Sequence, residues 1–86
     1  MKLFTVYFSR SAEKSLKNLP KFVGDKITKA ISGLAHDPHP VGGKKMAGTR
    51  STYRIRMQNY RVIYDVDHHQ VTILVLKIAH RREVYR

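Results

Sequence analysis

The chain of 86 residues contains no cysteine and no tryptophan. Without cysteine it can form neither a disulfide framework nor a thiolate metal site. Its five histidines also lack the paired spacing of a metal-binding helix. We therefore expect no structural zinc ion, no metal at the functional site and no cofactor.

Long apolar runs are missing as well. One of the longest, residues 71–76, falls far short of the roughly 20 apolar residues that cross a bilayer. Residues 1–4 lead into a strand-like stretch with no hydrophobic signal region before it. These features predict a cytoplasmic protein that does not act at a membrane.

Acidic residues are few. Six Asp and Glu stand against 17 Lys and Arg, which gives a net charge of +11 and a pI near 10.4. Such a surface attracts phosphate backbones or an acidic protein more readily than a neutral metabolite. The length and a hydrophobic content of 42% predict one domain over residues 1–86, with one layer of sheet against helix.

The first half of the chain predicts a strand followed by two helices. Residues 2–8 are rich in β-branched and aromatic side chains, and apolar residues occur at both odd and even positions. This pattern indicates a strand covered on both faces. Ser9 can cap a helix over residues 9–19, which Pro20 ends. Residues 21–36 continue the 3.6-residue apolar period in a second, antiparallel helix. A long loop is expected over residues 36–49.

The second half predicts three antiparallel strands, over residues 52–57, 60–66 and 71–78, followed by a basic tail from residue 79 to residue 86. The expected fold is therefore α+β in the order β-α-α-β-β-β. A helical hairpin packs on a mainly antiparallel sheet of four strands.

The first two of these strands form a tight hairpin if Gln58-Asn59 is the turn. Arg56 then lies directly opposite Arg61, and Arg54 shares their face. The other face is apolar. Because like charges that face each other destabilise a sheet, we expect the three guanidinium groups to be presented to an anion.

Five segments carry a resemblance to a known family: the helix over residues 9–19, Lys45-Met46-Ala47-Gly48, Tyr53-Arg54-Ile55-Arg56, Tyr60-Arg61-Val62-Ile63-Tyr64 and His80-Arg81-Arg82-Glu83-Val84-Tyr85. In this order they resemble the RelE branch of the RelE/ParE toxin superfamily, over essentially the whole chain. The resemblance implies a RelE-like toxin of a type II toxin–antitoxin system. Such a toxin is an endoribonuclease that cleaves mRNA, typically in the ribosomal A site, and its cognate antitoxin holds it inactive in a heterodimer or heterotetramer.

The resemblance also implies roles for individual residues. Metal-independent cleavage directs a 2′-hydroxyl at the adjacent phosphate, so the site must move protons and stabilise charge. Arg61 matches a phosphate clamp, and Arg81 matches a phosphate ligand or proton donor. Tyr85 matches an aromatic residue that stacks on a base.

The sequence departs from the family at the general base. Arg54 and Arg56 stand where well-known members carry lysines, one of which acts as the base. An arginine with a pKa above about 12 is a poor base at neutral pH, so we expect these two to stabilise charge. The base is then His80, or Lys44 or Lys45, or no side chain at all. Further phosphate contacts are expected from the basic residues Lys44, Lys45, Arg82 and Arg86.

Several simpler interpretations stay open. The arginine face can be a solvated sheet surface, Tyr85 can pack on the sheet edge, and His80 can be an ordinary surface residue. The remaining histidines lie in turns and are assigned no role. At the level of function, the alternatives are a ParE-like inhibitor that binds DNA gyrase without cleaving RNA, and a non-catalytic RNA-binding module.

Overall fold

The computed structural model describes residues 3–40, 43–57 and 59–80. The elements are β1 (Thr5–Phe8), α1 (Arg10–Asn18), α2 (Lys21–His36), β2 (Lys44–Lys45), β3 (Thr52–Met57), β4 (Tyr60–Asp67) and β5 (Thr72–His80). The strands form one sheet in the order β1-β5-β4-β3-β2, in which β1 pairs with β5 in parallel and the other pairs are antiparallel.

This architecture confirms the α+β prediction, with two helices on a mainly antiparallel sheet. The sheet has five strands instead of the four expected. The additional strand is β2, which lies inside the predicted loop and pairs Lys44 with Arg54 and Lys45 with Tyr53. A segment of two residues has no periodicity of its own, so its strand conformation comes from pairing with β3.

The core lies between the helices and one face of the sheet. The stripe of α2 formed by Ile27, Ile31 and Leu34 is buried against this face, as its helical period predicted. The sheet contributes alternate residues of its central strands to the same core: Ile55, Val62, Tyr64, Val66, Ile73, Val75 and Ile78. The second face of the sheet carries neither helix.

Ser9 is the N-cap of the first helix, as predicted, and it also fixes the helix to the sheet. Its hydroxyl accepts a hydrogen bond from the backbone N–H of Ala12 at 3.0 Å and donates one to the carbonyl of Leu76 at 2.8 Å. The pairing register of β4 with β5 shifts at this point, which makes Leu76 the extra residue of a β-bulge. The N-cap residue of α1 therefore also provides a hydrogen-bond donor for the carbonyl group of the bulge residue.

The prediction that the first strand is covered on both faces was wrong. The strand spans Thr5–Phe8, and its exposure alternates, with Val6 and Phe8 half-buried against the core. Tyr7 is 55% exposed on the opposite face. The reason is topological, because β1 is an edge strand and the helices cover one face of the sheet.

Of the other predicted strands, β3 has the predicted bounds, and β4 ends one residue later, at Asp67. The last strand begins at Thr72 because Val71 has a φ of 56°, in the left-handed region that closes the turn before it. It runs on to His80, beyond the predicted end at residue 78. Within the described residues, no helix is both long and apolar enough to cross a membrane.

Candidate nucleic-acid interface

The hairpin has the register that the sequence predicted. Arg56 pairs with Arg61, Arg54 with Ile63, and Ile55 with Val62. Because directly opposite residues share a face, the three arginines lie together on the face without helices. The Cβ atoms of such a directly opposite pair are roughly 5 Å apart.

The arginines differ in burial. Arg61 is 2% exposed, Arg54 is half-buried and Arg56 is exposed. Ala79, which lies beside Arg61 on β5, is also 2% exposed. Arg61 is therefore the least accessible of the three arginines, and its charge lies within the protein. A charge in such a low-dielectric position interacts more strongly with an anion than a solvated charge does.

Two lysines extend this cationic cluster. Lys44 lies opposite Arg54 on β2, and Lys77 lies opposite Ile63 on β5. We call the residues Lys44, Arg54, Arg56, Arg61 and Lys77 the basic face. Lys77 was not among the residues predicted from the sequence. A single lysine in the otherwise apolar run of β5 could have indicated that its side chain points away from the core.

Lys45 does not join the basic face. It pairs with Tyr53, whose ring is part of the core side of the sheet, so Lys44 and Lys45 leave β2 on opposite faces. Both lysines are exposed. The two neighbouring candidates therefore separate into one that belongs to the basic face and one that does not.

His80 also lies on the other face of the sheet. It pairs with Tyr60, while its neighbour Ala79 pairs with Arg61. The imidazole ring meets the Tyr60 ring edge-on, with centroids 5.3 Å apart. The structure thus places Arg54, Arg56, Arg61 and Lys44 together and separates His80 from them. The candidates Arg81, Arg82, Tyr85 and Arg86 lie outside the described residues.

A groove of about 560 Å³ lies between α2 and β3. Apolar side chains of both elements line it, among them Leu34, Ile55 and Met57. Lys44, Arg54 and Arg56 line it too, so the groove adjoins the basic face. Its lining can accommodate an apolar segment that also carries negative charge.

The core side of the hairpin contains a buried phenol. Tyr64 is fully buried, and its hydroxyl donates a hydrogen bond to the carbonyl of Pro38 at 2.9 Å. Burial raises the pKa of Tyr64 to about 12, and the charges of Tyr53 and Asp37 add to the effect. Tyr64 therefore stays neutral at physiological pH and holds the segment after α2 against the sheet.

Comparison with known proteins identifies the family. The family model of the ParE toxin of type II toxin–antitoxin systems matches residues 6–85. The chain belongs to this family, within the RelE/ParE toxin superfamily. As a RelE-family toxin it resembles Toxin RelG of Mycobacterium tuberculosis, which is 29% identical over 84 residues that cover 96% of this chain and 97% of the relative. Toxin RelE3 of Methanocaldococcus jannaschii is 29% identical and covers 93% of both chains.

Solved structures show the same fold. In the RelE–RelB complex of Pyrococcus horikoshii OT3 the matching chain is 30% identical, with a TM-score of 0.82 over 92% of this toxin and 96% of that chain. The isolated RelE toxin of E. coli has a TM-score of 0.81 at 24% identity, over 95% of this toxin and 90% of that chain. These likenesses confirm the predicted RelE-like fold, and the first of these neighbours was solved with its RelB antitoxin.

Proposed function

We propose that this toxin is a metal-independent endoribonuclease that cleaves mRNA, in the ribosomal A site, by attack of a 2′-hydroxyl on the adjacent phosphate. The observation that carries the proposal is the basic face, where buried Arg61 lies directly opposite exposed Arg56. Membership of a toxin family whose relatives are named RelE and RelG supports it.

The proposed role of Arg61 is to stabilise charge on the phosphorane. The planar guanidinium can donate two parallel hydrogen bonds to phosphate oxygens. Because Arg61 is buried, its charge acts at a low dielectric on the charge that develops in the transition state. Arg56 and Arg54 add positive charge beside it and hold the message by its backbone.

The geometry favours a lysine over His80 as the proton acceptor. Lys44 lies on the basic face beside Arg54, whereas His80 lies with Tyr60 on the other face. A lysine ammonium also loses its proton more readily than a guanidinium. If a side chain of the toxin acts as the base, we propose that it is Lys44. The rest of the rate enhancement then comes from the ribosome, which positions the message for attack.

A cognate antitoxin is the proposed protein partner. The groove between α2 and β3 combines apolar side chains with Lys44, Arg54 and Arg56, which suits an acidic segment with apolar side chains on one side. An antitoxin in this groove covers part of the basic face and so blocks access of RNA. Expression of the toxin alone should then arrest growth, and co-expression of its antitoxin should restore it.

The test is primer-extension mapping of mRNA ends after purified toxin is added to programmed ribosomes, with free RNA in parallel. Arg61→Ala is the test variant. Arg10→Ala, an exposed arginine at the start of α1, is the control. Cuts at A-site codons that disappear in Arg61→Ala but persist in Arg10→Ala support the proposal, provided that circular dichroism shows both variants folded.

The matching family model, described as a ParE toxin, favours a second candidate function, inhibition of DNA gyrase by binding. A DNA gyrase supercoiling assay with the parent toxin, Arg61→Ala and Arg10→Ala distinguishes the two candidate functions. Absence of cuts on ribosomes and on free RNA, together with inhibition of supercoiling, would replace the ribonuclease proposal with gyrase inhibition.

A further inference from the structure

Two histidines from distant parts of the chain meet at the surface. His39 lies in the segment that follows α2, and His68 lies in the turn between β4 and β5. Their Nε2 atoms are 3.0 Å apart, although 29 residues separate them in sequence. Both side chains are exposed, so solvent and ions can reach the two nitrogens.

Both backbone segments are held by an aspartate. The Oδ1 atom of Asp37 accepts a hydrogen bond from the backbone N–H of His39 at 3.0 Å. The Oδ1 atom of Asp67 accepts bonds from the backbone N–H groups of His69 and Gln70, at 2.9 Å and 3.0 Å. Each histidine therefore lies in a segment whose backbone is held by an aspartate side chain.

Each ring also has aromatic neighbours. The two rings stack on each other with centroids 5.2 Å apart and an interplanar angle of 24°. The His39 ring also meets Tyr53 at 4.7 Å, and the His68 ring meets Phe4 at 5.6 Å. Because aromatic neighbours restrict each ring, the convergence of the two nitrogens is built into the fold.

We propose that His39 and His68 bind one divalent transition-metal ion, such as Zn²⁺, through their Nε2 atoms. Imidazole nitrogen is a favoured ligand of Zn²⁺, Ni²⁺ and Cu²⁺. The observed separation of 3.0 Å lies between the roughly 2.9 Å of adjacent square-planar ligands and the roughly 3.3 Å of tetrahedral ones, given metal–nitrogen bonds of about 2.0–2.1 Å.

Without metal, one Nε2–H donates to the other Nε2. On binding, that proton moves to Nδ1 of the same ring, and both Nε2 lone pairs face the ion. Among the described residues no group of three or more His, Cys, Asp and Glu side chains could hold a metal, so the described part of the chain supplies only these two imidazoles as ligands.

The site lies far from Arg61 of the basic face. Asp67, the residue before His68, pairs with Thr72 at the end of the β4–β5 ladder, whereas Arg61 pairs with Ala79 near the other end. Asp67 lies six positions beyond Arg61 along β4, which is roughly 20 Å of strand. A bound ion would clamp the segment after α2 to the β4–β5 turn, a structural role that the spacing of the histidines along the chain gave no reason to expect. This inference does not depend on the proposed ribonuclease activity.

The test is a titration of the purified toxin with Zn²⁺, followed by calorimetry and thermal unfolding, with Mg²⁺ as the control ion. His39→Phe and His68→Phe keep an aromatic ring in place but remove the ligand atom. His36→Phe and His69→Phe are matched controls, because both histidines are exposed and near the site in sequence. We expect one Zn²⁺ per chain and a Tm that rises with Zn²⁺ concentration, since the ion binds the folded state.

Affinity for Zn²⁺ should fall roughly tenfold or more in His39→Phe and in His68→Phe, and stay within about twofold in the two control variants. Binding that persists in either His39→Phe or His68→Phe would overturn the proposal. So would no binding stronger than that of Mg²⁺, or an equal loss in the control variants. Circular dichroism of each variant separates loss of the ligand from loss of the fold.

Discussion

Arg56 lies directly opposite Arg61 across β3 and β4, yet Arg61 is buried and Arg56 is exposed. Two like charges in register are unfavourable for a sheet, and the burial of one of them adds a desolvation cost. The arrangement therefore gives the two arginines different tasks, with Arg61 in a preorganised position and Arg56 in contact with solvent.

The first prediction concerns these two residues. Arg61→Ala should lower the single-turnover rate of RNA cleavage by about 10²–10³, the range for loss of a preorganised charge donor. Arg56→Ala should lower it by about tenfold, because its charge is screened by water. Quenched-flow cleavage of a short message on ribosomes measures both. Equal losses in the two variants would contradict the distinction drawn from burial.

The second prediction compares two neighbouring lysines. Lys44→Ala should weaken RNA binding and reduce the slope of log K against log salt concentration by about one. Lys45→Ala should leave the slope unchanged, because Lys45 lies on the other face of the sheet. Fluorescence anisotropy with a labelled RNA at several salt concentrations gives the slopes. A similar effect of both substitutions would indicate attraction by net charge alone.

The third prediction concerns stability at high pH. The folded state binds the phenolic proton of Tyr64 more tightly than the unfolded state does, since the pKa is raised from 10.0 to about 12. Its contribution to stability is fully present below pH 10 and is lost as the pH rises from 10 to 12.

Tyr64→Phe should destabilise the protein by about 1–2 kcal/mol at pH 7, because the Pro38 carbonyl loses its buried donor. This difference from the parent protein should shrink above pH 10. Urea unfolding at pH 7 and across that range measures it, with Tyr7→Phe, an exposed tyrosine, as the control. A difference that stays constant with pH would show that Tyr64 ionises normally.

The fourth prediction concerns the N-cap of α1. Ser9→Ala should lower the free energy of unfolding by about 2 kcal/mol, because both the N–H of Ala12 and the carbonyl of Leu76 lose a partner. Ser11→Ala, in the first turn of the same helix and exposed, should change it by less than about 0.5 kcal/mol. Thermal or urea unfolding of both variants tests this prediction. Equal losses of unfolding free energy in the two variants would show that the two hydrogen bonds of Ser9 do not stabilise the fold.

Local signals in the sequence were sufficient for the helices and the hairpin. The bounds of α2 follow from Pro20 and the apolar period, and the hairpin register follows from a two-residue turn with alternating side chains. Position in the sheet is not a local property. The edge placement of β1 and the two-residue strand β2 depend on partners far away in sequence, so neither could be read from its own residues.

The candidate site likewise has some features that follow from the local sequence and others that depend on distant residues. Alternation along the two strands of the hairpin is sufficient to place Arg54, Arg56 and Arg61 on one face. The burial of Arg61 could not be predicted, because it depends on the packing around β4 and β5. The meeting of His39 with His68 could not be predicted either, since two separate turns must come together to form it.

The parallel pairing of β1 with β5 has a consequence for the order in which the chain acquires structure during synthesis. Thr5 pairs with Thr72, and the hydroxyl of Ser9 binds the carbonyl of Leu76. The first strand must therefore wait, without its sheet partner, until the last described strand has been translated. A polypeptide interrupted in the turn after β4 would already contain the arginine hairpin, but neither Lys77 nor Ala79 would be there to complete the surface around Arg61.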